Sequence, residues 1–265
     1  MKLVGVCQYD GSNYSGFQSQ ANANAIQDVL ERAISSVGKL NDRINFSGRT
    51  DAGVHAVGQV FDFSSPDLRK IDQWLKGINS NLPPSISVIS LQKGPKDFHS
   101  RFDATSRSYG FVLYTGVTRP VFLRNYVQWE QQNLDVHLMR SEATYLKGTH
   151  NFNAFRGSKC IAKNPNRTIK AIEIIERDNF LIFYISANAY LYNMVRIIVG
   201  TLIDIGKGVM KQSVIDVLDS QNRKFAGRTA QSNGLFFLGS SYNKIKLDQQ
   251  NDLLNLYNFL RINEN

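Results

Sequence analysis

A glycine-rich run of fifteen residues holds a single acid where the flanking sequence predicts a tight connection. The run is Phe46-Ser-Gly-Arg-Thr-Asp-Ala-Gly-Val-His-Ala-Val-Gly-Gln-Val60. Strand-forming residues end near Ser47 and resume at Gln59, so Asp51 is expected in the loop between two strands. An acid beside Arg49 stays ionised and can serve as a nucleophile. The alternative is a polar turn whose carboxylate hydrogen-bonds its own backbone.

The charge of the chain favours a polyanionic partner. The 265 residues carry 31 Lys and Arg against 22 Asp and Glu, a formal net charge of +9. Each phosphate that a cation neutralises releases condensed counterions, so such an excess favours nucleic acid. The alternative is charge that only keeps the protein soluble.

Several classes of protein are disfavoured by spacing. Residues 197–205 form the longest apolar stretch, which Asp204 interrupts before it could span a membrane. The histidines and the two cysteines are too scattered for a metal site, and the cysteines fit a reduced, cytoplasmic protein. The chain also lacks a complete Walker motif and a G-x-S-x-G nucleophile motif.

The order of predicted elements indicates an α+β fold. In the first half, strands at 2–9, 43–47, 59–64 and 86–91 and helices near 26–37 and 70–78 give β-α-β-β-α-β, with helices on one face of a sheet. The second half repeats a similar pattern: a long strand at 104–115, a helix around 136–146, a hairpin with its turn at Asp178-Asn179, a helix at 191–205 and a strand at 235–240. We therefore predict an N-terminal domain of residues 1–103 that carries the acid, and a C-terminal domain of residues 104–265. Apolar residues at helical spacing predict a last helix at 252–260.

Five blocks, in this order along the chain, carry a family resemblance. They are Y-D-G-S-N-Y-S-G-F-Q-S-Q at 9–20, G-R-T-D-A-G-V-H-A at 48–56, F-H-S-R-F-D-A-T-S-R-S-Y-G-F at 98–111, L-K-G-T-H-N-F at 146–152 and M-V-R-I-I-V-G-T-L at 194–202. Together they resemble the tRNA pseudouridine synthase A family. The sequence departs from the family pattern at Phe17, where Trp is usual, and at Asn151, where Asp is usual.

Three residues are the predicted catalytic group. The resemblance implies that Asp51 is the nucleophile, that Tyr109 lines the pocket and contacts the target nucleotide, and that Arg196 reaches the catalytic acid. From the residues alone, Tyr109 offers a ring for stacking and a phenol that can take a proton, or else fills a core. Arg196 lies in an apolar helix and needs a carboxylate or water.

Other residues are predicted to bind the substrate. The resemblance assigns Arg49 to the site of the flipped nucleotide. His55, His99, Arg101 and Arg107 cluster in sequence around the same motifs and are predicted to contact RNA phosphates. The segment containing Tyr14, Phe17 and Gln18 either touches RNA or packs locally as a hydrophobic staple.

The resemblance also implies the reaction and its setting. It implies isomerisation of uridine to pseudouridine in the anticodon stem-loop of tRNA, at tRNA positions 38, 39 and 40, by a cytoplasmic homodimer. Two related halves, each an antiparallel-rich sheet, would meet along a basic central cleft. The reaction needs no redox change or group donor, so no cofactor or metal is expected. Attack at C1′ and attack at C6 both remain open. An inactive RNA-binding protein and a phosphodiesterase are the alternatives.

Overall fold

The computed structural model describes residues 1–247 and residue 256, and it confirms the α+β class. The described chain contains ten strands: β1 (Lys2–Tyr9), β2 (Asn45–Phe46), β3 (His55–Ser64), β4 (Ile86–Lys93), β5 (Ala104–Tyr114), β6 (Gln128–Trp129), β7 (Gly148–Asn151), β8 (Asn166–Arg177), β9 (Phe180–Ala187) and β10 (Leu235–Tyr242). Its α-helices are α1 (Ile26–Ser35), α2 (Ile71–Ser80), α3 (Val136–Thr144), α4 (Met194–Gly206) and α5 (Val214–Ser220).

The chain divides into two compact units. The first contains Met1–Arg107 and the described residues from Phe236 onward, and the second contains Ser108–Leu235. The chain therefore leaves the first unit within β5 and rejoins it at β10. The return has a direct cause, because β10 pairs with β3 through Phe236 and Phe237, opposite His55 and Ala56.

In the first unit, four strands follow the order β4-β1-β3-β10 and β2 pairs with β3. The β1 strand is antiparallel to both β3 and β4, whereas β10 runs parallel to β3. The α1 helix buries Ile26, Leu30, Ala33 and Ile34, which recur at helical spacing. The Trp74 side chain of α2 is fully buried, edge-on to Phe63 of β3 at a centroid distance of 5.5 Å.

In the second unit, the strands follow the order β5-β9-β8-β7 and β6 pairs with β5. The β8–β9 hairpin turns at the predicted position, where Asp178 adopts a φ of 48°. Within α4 only Arg196 and Asp204 are not fully buried, so this helix is the apolar centre of the unit.

Three predicted element boundaries were wrong. The β3 strand begins at His55 instead of Gln59, and β2 covers two residues instead of 43–47. The α4 helix begins at Met194 instead of residue 191, because Asn193 adopts a left-handed φ of 59° just before it. The helix predicted at 252–260 lies outside the described residues, apart from residue 256. In the part of the chain that the structure describes, no helix is long and apolar enough to cross a membrane.

Candidate active site

Asp51 lies in a tight turn that leads directly into β3. The Val54 N–H donates to the Asp51 carbonyl at 3.1 Å, and Gly53 adopts a φ of 75°, a conformation that residues with a Cβ rarely adopt. Thr50 is buried, Asp51 is half-buried and Arg49 is exposed. The turn therefore holds the acid at the surface of the first unit, beside an arginine that faces solvent.

The opening segment of the chain packs directly on this turn. The Tyr9 and Thr50 hydroxyls are 2.8 Å apart, and the Phe17 N–H donates to the Thr50 carbonyl at 3.2 Å. A Cβ added at Gly11 would lie 2.0 Å from the Val54 carbonyl oxygen, so only glycine lets the two backbones come this close. The conformation of the Asp51 turn is thus set by residues about forty positions earlier in the sequence.

For the aromatic residues of this segment, local packing is the better interpretation. Phe17 is fully buried, with ring centroids 5.8 Å from Tyr9 and 4.6 Å from Phe46. Tyr14 is also buried, and its hydroxyl lies 2.8 Å from that of Ser85. Their rings support the Asp51 turn and have little surface to offer RNA, whereas Gln18 is exposed.

His55 is buried where the Asp51 turn becomes β3. Its side chain is 2% exposed and stacks on Phe236 at a centroid distance of 4.9 Å. Its Nδ1 lies 3.1 Å from the Gly11 backbone nitrogen and 3.2 Å from an Asp10 carboxylate oxygen. His55 therefore joins the opening segment to the turn, and its predicted contact with RNA stays a prediction.

Arg107 connects two segments of the first unit through backbone carbonyls. Its Nε donates to the Ser47 carbonyl at 2.9 Å, and its Nη2 donates to the Arg101 carbonyl. Since Ser47 leads into the Asp51 turn, Arg107 links that turn to the turn carrying Arg101. The Arg101 side chain is exposed.

Tyr109 belongs to the second unit and lies two residues beyond Arg107 on β5. Its side chain is 8% exposed, and its ring meets that of Tyr190 edge-on, with centroids 5.1 Å apart. The Tyr190 hydroxyl donates to the Ile185 carbonyl on β9 at 2.8 Å. The ring of Tyr109 therefore rests against a second tyrosine that is itself anchored to the sheet.

Arg196 lies in the first turn of α4, because the helix begins at Met194 instead of the predicted residue 191. Its Nε donates to the Ala230 carbonyl at 2.7 Å, and its Nη1 to the Asn193 side-chain oxygen at 3.3 Å. The positive end of a helix dipole disfavours a cation, so these acceptors offset an unfavourable position. Sequence reasoning missed Asn193 and Ala230; an Asn just before an apolar helical run was the available signal for the former.

The segment that supplies the Ala230 carbonyl is held against α4. A Cβ added at Gly200 would lie 1.8 Å from the Arg228 carbonyl oxygen, so helix and segment touch through their backbones. Arg228 also pairs with Asp204 at 3.3 Å and with Glu130 at 2.9 Å, and Glu130 pairs with Lys207 as well. Burial alone would raise the pKa of Glu130, but hydrogen bonds from Lys207 and from the Gln132 N–H hold that pKa below its ordinary value.

Glu130→Gln should destabilise the protein at neutral pH by about 3 kcal/mol, because it leaves the 8%-exposed Lys207 without its counter-charge. A carboxylate with a lowered folded-state pKa contributes stability above its unfolded pKa and loses it as the pH falls through the folded value. The difference in free energy of unfolding between variant and wild type should therefore have its full value above about pH 5 and become smaller below about pH 4.3. Urea unfolding from pH 7 to pH 3 measures it, with the exposed Glu173→Gln as control. A difference that is independent of pH would contradict the ion-pair explanation.

The residues described above lie in regions of the chain that match known proteins. The tRNA pseudouridine synthase family matches residues 6–103 and 143–243. A protein of Aliivibrio fischeri (strain MJ11) named tRNA pseudouridine synthase A is 37% identical over 243 residues, which cover 91% of this chain and 93% of the relative. A protein of the same name from Francisella tularensis subsp. holarctica (strain OSU18) is 34% identical over 244 residues, which cover 92% and 95%.

A crystal structure of a Cbf5-Nop10-Gar1 complex is a more distant match. The two chains are 10% identical with a TM-score of 0.39, a score too low to establish a shared fold, and the match covers 99% of this chain and 57% of that one. The family match, by contrast, spans the Asp51 turn and the first turn of α4, and the two named relatives align over nearly their whole length. The chain therefore belongs to the tRNA pseudouridine synthase family.

Proposed function

We propose that the protein isomerises uridine to pseudouridine in the anticodon stem-loop of tRNA, with Asp51 as the attacking group. The observation that carries this proposal is the placement of Asp51. Asp51 is a half-buried acid on a turn. The opening segment of the chain contacts Thr50 and Val54 in that turn and so holds it in place. A nucleophile works best when its position is set before the substrate arrives.

The isomerisation is balanced within one nucleotide. The bond between N1 and C1′ breaks, the uracil turns, a new bond joins C5 to C1′, the C5 proton is lost and N1 gains a proton. Asp51 attacks at C1′ or at C6 to allow the break, and the bond that it forms there breaks again before the product leaves, which regenerates the carboxylate. The target base must first leave its stack, at a cost of a few kcal/mol. Cations that bind phosphate offset this cost, and Arg49 and Arg101, both exposed, are the proposed phosphate contacts.

We assign supporting roles to the other predicted residues. Arg196 is proposed to pair with Asp51. Both the guanidinium and the positive end of the α4 dipole, where it lies, attract a carboxylate. Arg107 and His55 are proposed to act by positioning, since their hydrogen bonds with the Ser47 carbonyl and the Gly11 N–H hold the segments around Asp51. The resemblance further supports a cytoplasmic homodimer whose two related halves, residues 1–103 and 104–265, meet along a basic cleft; these remain proposals.

Tyr109→Phe and Tyr109→Ala separate the ring from the hydroxyl. Phe keeps the stacking surface and loses the phenol, so we expect near-normal tRNA binding with turnover reduced about a hundredfold or more. Ala removes both and leaves a cavity beside Tyr190, so binding should weaken as well. Single-turnover kinetics and tRNA binding measure the two effects. If Tyr109→Phe is as active as wild type, the residue has only a packing role.

The test of the proposed function is direct product mapping. Purified protein is incubated with an unmodified, pre-folded tRNA transcript in EDTA and monovalent salt, and pseudouridine is mapped at single-nucleotide resolution. We expect pseudouridine in full-length RNA at one or more of positions 38–40. Shortened RNA would indicate a phosphodiesterase, and bound but unchanged RNA would indicate an inactive binding protein.

A further inference from the structure

An aromatic ring is displayed to solvent by the turn that follows Phe98 in the first unit. Phe102 is 74% exposed. The His99 ring lies against it, with centroids 4.2 Å apart, and the Arg101 guanidinium carbon is 5.6 Å from the ring centroid. A single exposed apolar side chain is common on protein surfaces. The distinctive feature here is an aromatic face that carries a guanidinium and an imidazole.

The backbone beneath this ring is fixed on both sides. The Ser100 N–H donates at 2.7 Å to Asp62, which is completely buried, and the Tyr242 hydroxyl donates to the Ser100 carbonyl at 2.7 Å. Burial raises the pKa of that tyrosine, so the hydroxyl stays a donor at physiological pH. The turn also closes on itself, since the His99 N–H donates to the Asp103 carboxylate at 2.8 Å and the Asp103 N–H to the His99 carbonyl at 3.0 Å.

This rigidity matters for binding. A ring on a fixed turn loses little backbone entropy when a ligand stacks on it, so more of the stacking energy appears as affinity. Lys244 adds to the fixation through an ion pair with Asp103 at 2.9 Å. Hydrogen bonding from the His99 N–H and from Lys244 holds the pKa of Asp103 below its ordinary value, so this pair persists at neutral pH.

The turn is also coupled to the candidate active site. The Arg107 guanidinium binds the Arg101 carbonyl and the Ser47 carbonyl at the same time. Ser47 is four residues before Asp51 in the sequence. The exposed ring and the proposed nucleophile therefore belong to neighbouring segments of one unit, joined by one side chain.

We propose that Phe102, together with His99 and Arg101, is a stacking site for an unpaired nucleobase of the bound tRNA, separate from the target uridine. This inference rests on the proposed function. Flipping the target leaves neighbouring bases without a stacking partner, and every base presents a π face that an aromatic side chain can cover. A cation beside the ring suits the phosphate attached to such a base.

The first experiment measures tRNA affinity with the full chain. Phe102→Ala should weaken binding of an unmodified tRNA transcript roughly five- to a hundredfold, the range measured when one base loses its aromatic partner. Phe102→Tyr keeps the ring and should bind within about threefold of wild type. Phe122→Ala is the matched control, because it removes an aromatic ring that is 93% exposed in the second unit, and it should bind like wild type.

A second experiment identifies the base. Transcripts that each lack one base of the anticodon loop are tested against wild type and Phe102→Ala. One missing base should weaken wild-type binding and have little further effect on the variant, since the interaction is already lost. Independent effects at every position would overturn the proposal. Unchanged affinity of Phe102→Ala for tRNA would also overturn the proposal. This holds even if the variant changes the oligomeric state of the protein in solution.

The two proposals fail in different ways. Wild-type protein that binds tRNA but forms no pseudouridine contradicts the proposed function. Phe102→Ala that binds and modifies tRNA like wild type contradicts only the stacking site.

Discussion

Asp51→Asn should abolish pseudouridine formation while leaving tRNA binding intact. The amide keeps the size and shape of the carboxylate and removes the negative charge that attack requires. Loss of a nucleophile costs at least about a thousandfold in turnover, so we expect no product above background in single-turnover assays. Binding should persist, because phosphate contacts come from other side chains.

The control for this variant is Asp42→Asn, which makes the same change of charge at an exposed position of the first unit. It should leave turnover unchanged. Residual activity of Asp51→Asn above a few per cent of wild type would show that another group starts the reaction. Thermal unfolding of both variants tests whether the turn itself survives, and we expect melting temperatures close to wild type, since Asp51 is only half-buried.

Arg196→Met should lower turnover about a hundredfold, the usual cost of removing one charged group that stabilises a reacting anion. The proposed counter-charge favours the ionised form of Asp51, so its removal should also move the acidic limb of the pH–rate profile to higher pH. Rate measurements from about pH 3 to pH 9 report both effects, because the acidic limb of an aspartate lies near or below its ordinary pKa of about 3.9.

Arg140→Met is the matched control, because it removes an exposed arginine from α3 in the same unit. It should leave the rate and the pH profile unchanged. A profile of Arg196→Met that is only scaled down, with its acidic limb in place, would contradict the proposed pairing with Asp51. In that case the contacts of Arg196 with Ala230 and Asn193 would account for the loss by positioning α4.

Local sequence patterns predicted most of the element types. The periodicity of α1 and α3 and the Asp178-Asn179 turn of the β8–β9 hairpin are local signals, and the structure contains all three. Boundaries that depend on distant partners were wrong. The β3 strand extends back to His55 because Tyr9 of β1 and Phe236 of β10 pair with that end, and neither partner can be inferred from the residues around His55.

By itself, the sequence determined the α+β class and the family, and it led to the proposal of Asp51 as the acid, because helical periodicity, turn residues and the G-R-T-D-A-G-V-H-A motif lie in neighbouring positions. Only the tertiary structure decided how that acid is held. The Tyr9–Thr50 hydroxyl pair, the close approach of Gly11 to Val54 and the Arg107 link to Ser47 join segments far apart in the chain. Burial and hydrogen-bond partners of this kind arise only when the chain closes on itself, which is why the exposed ring of Phe102 was also missed.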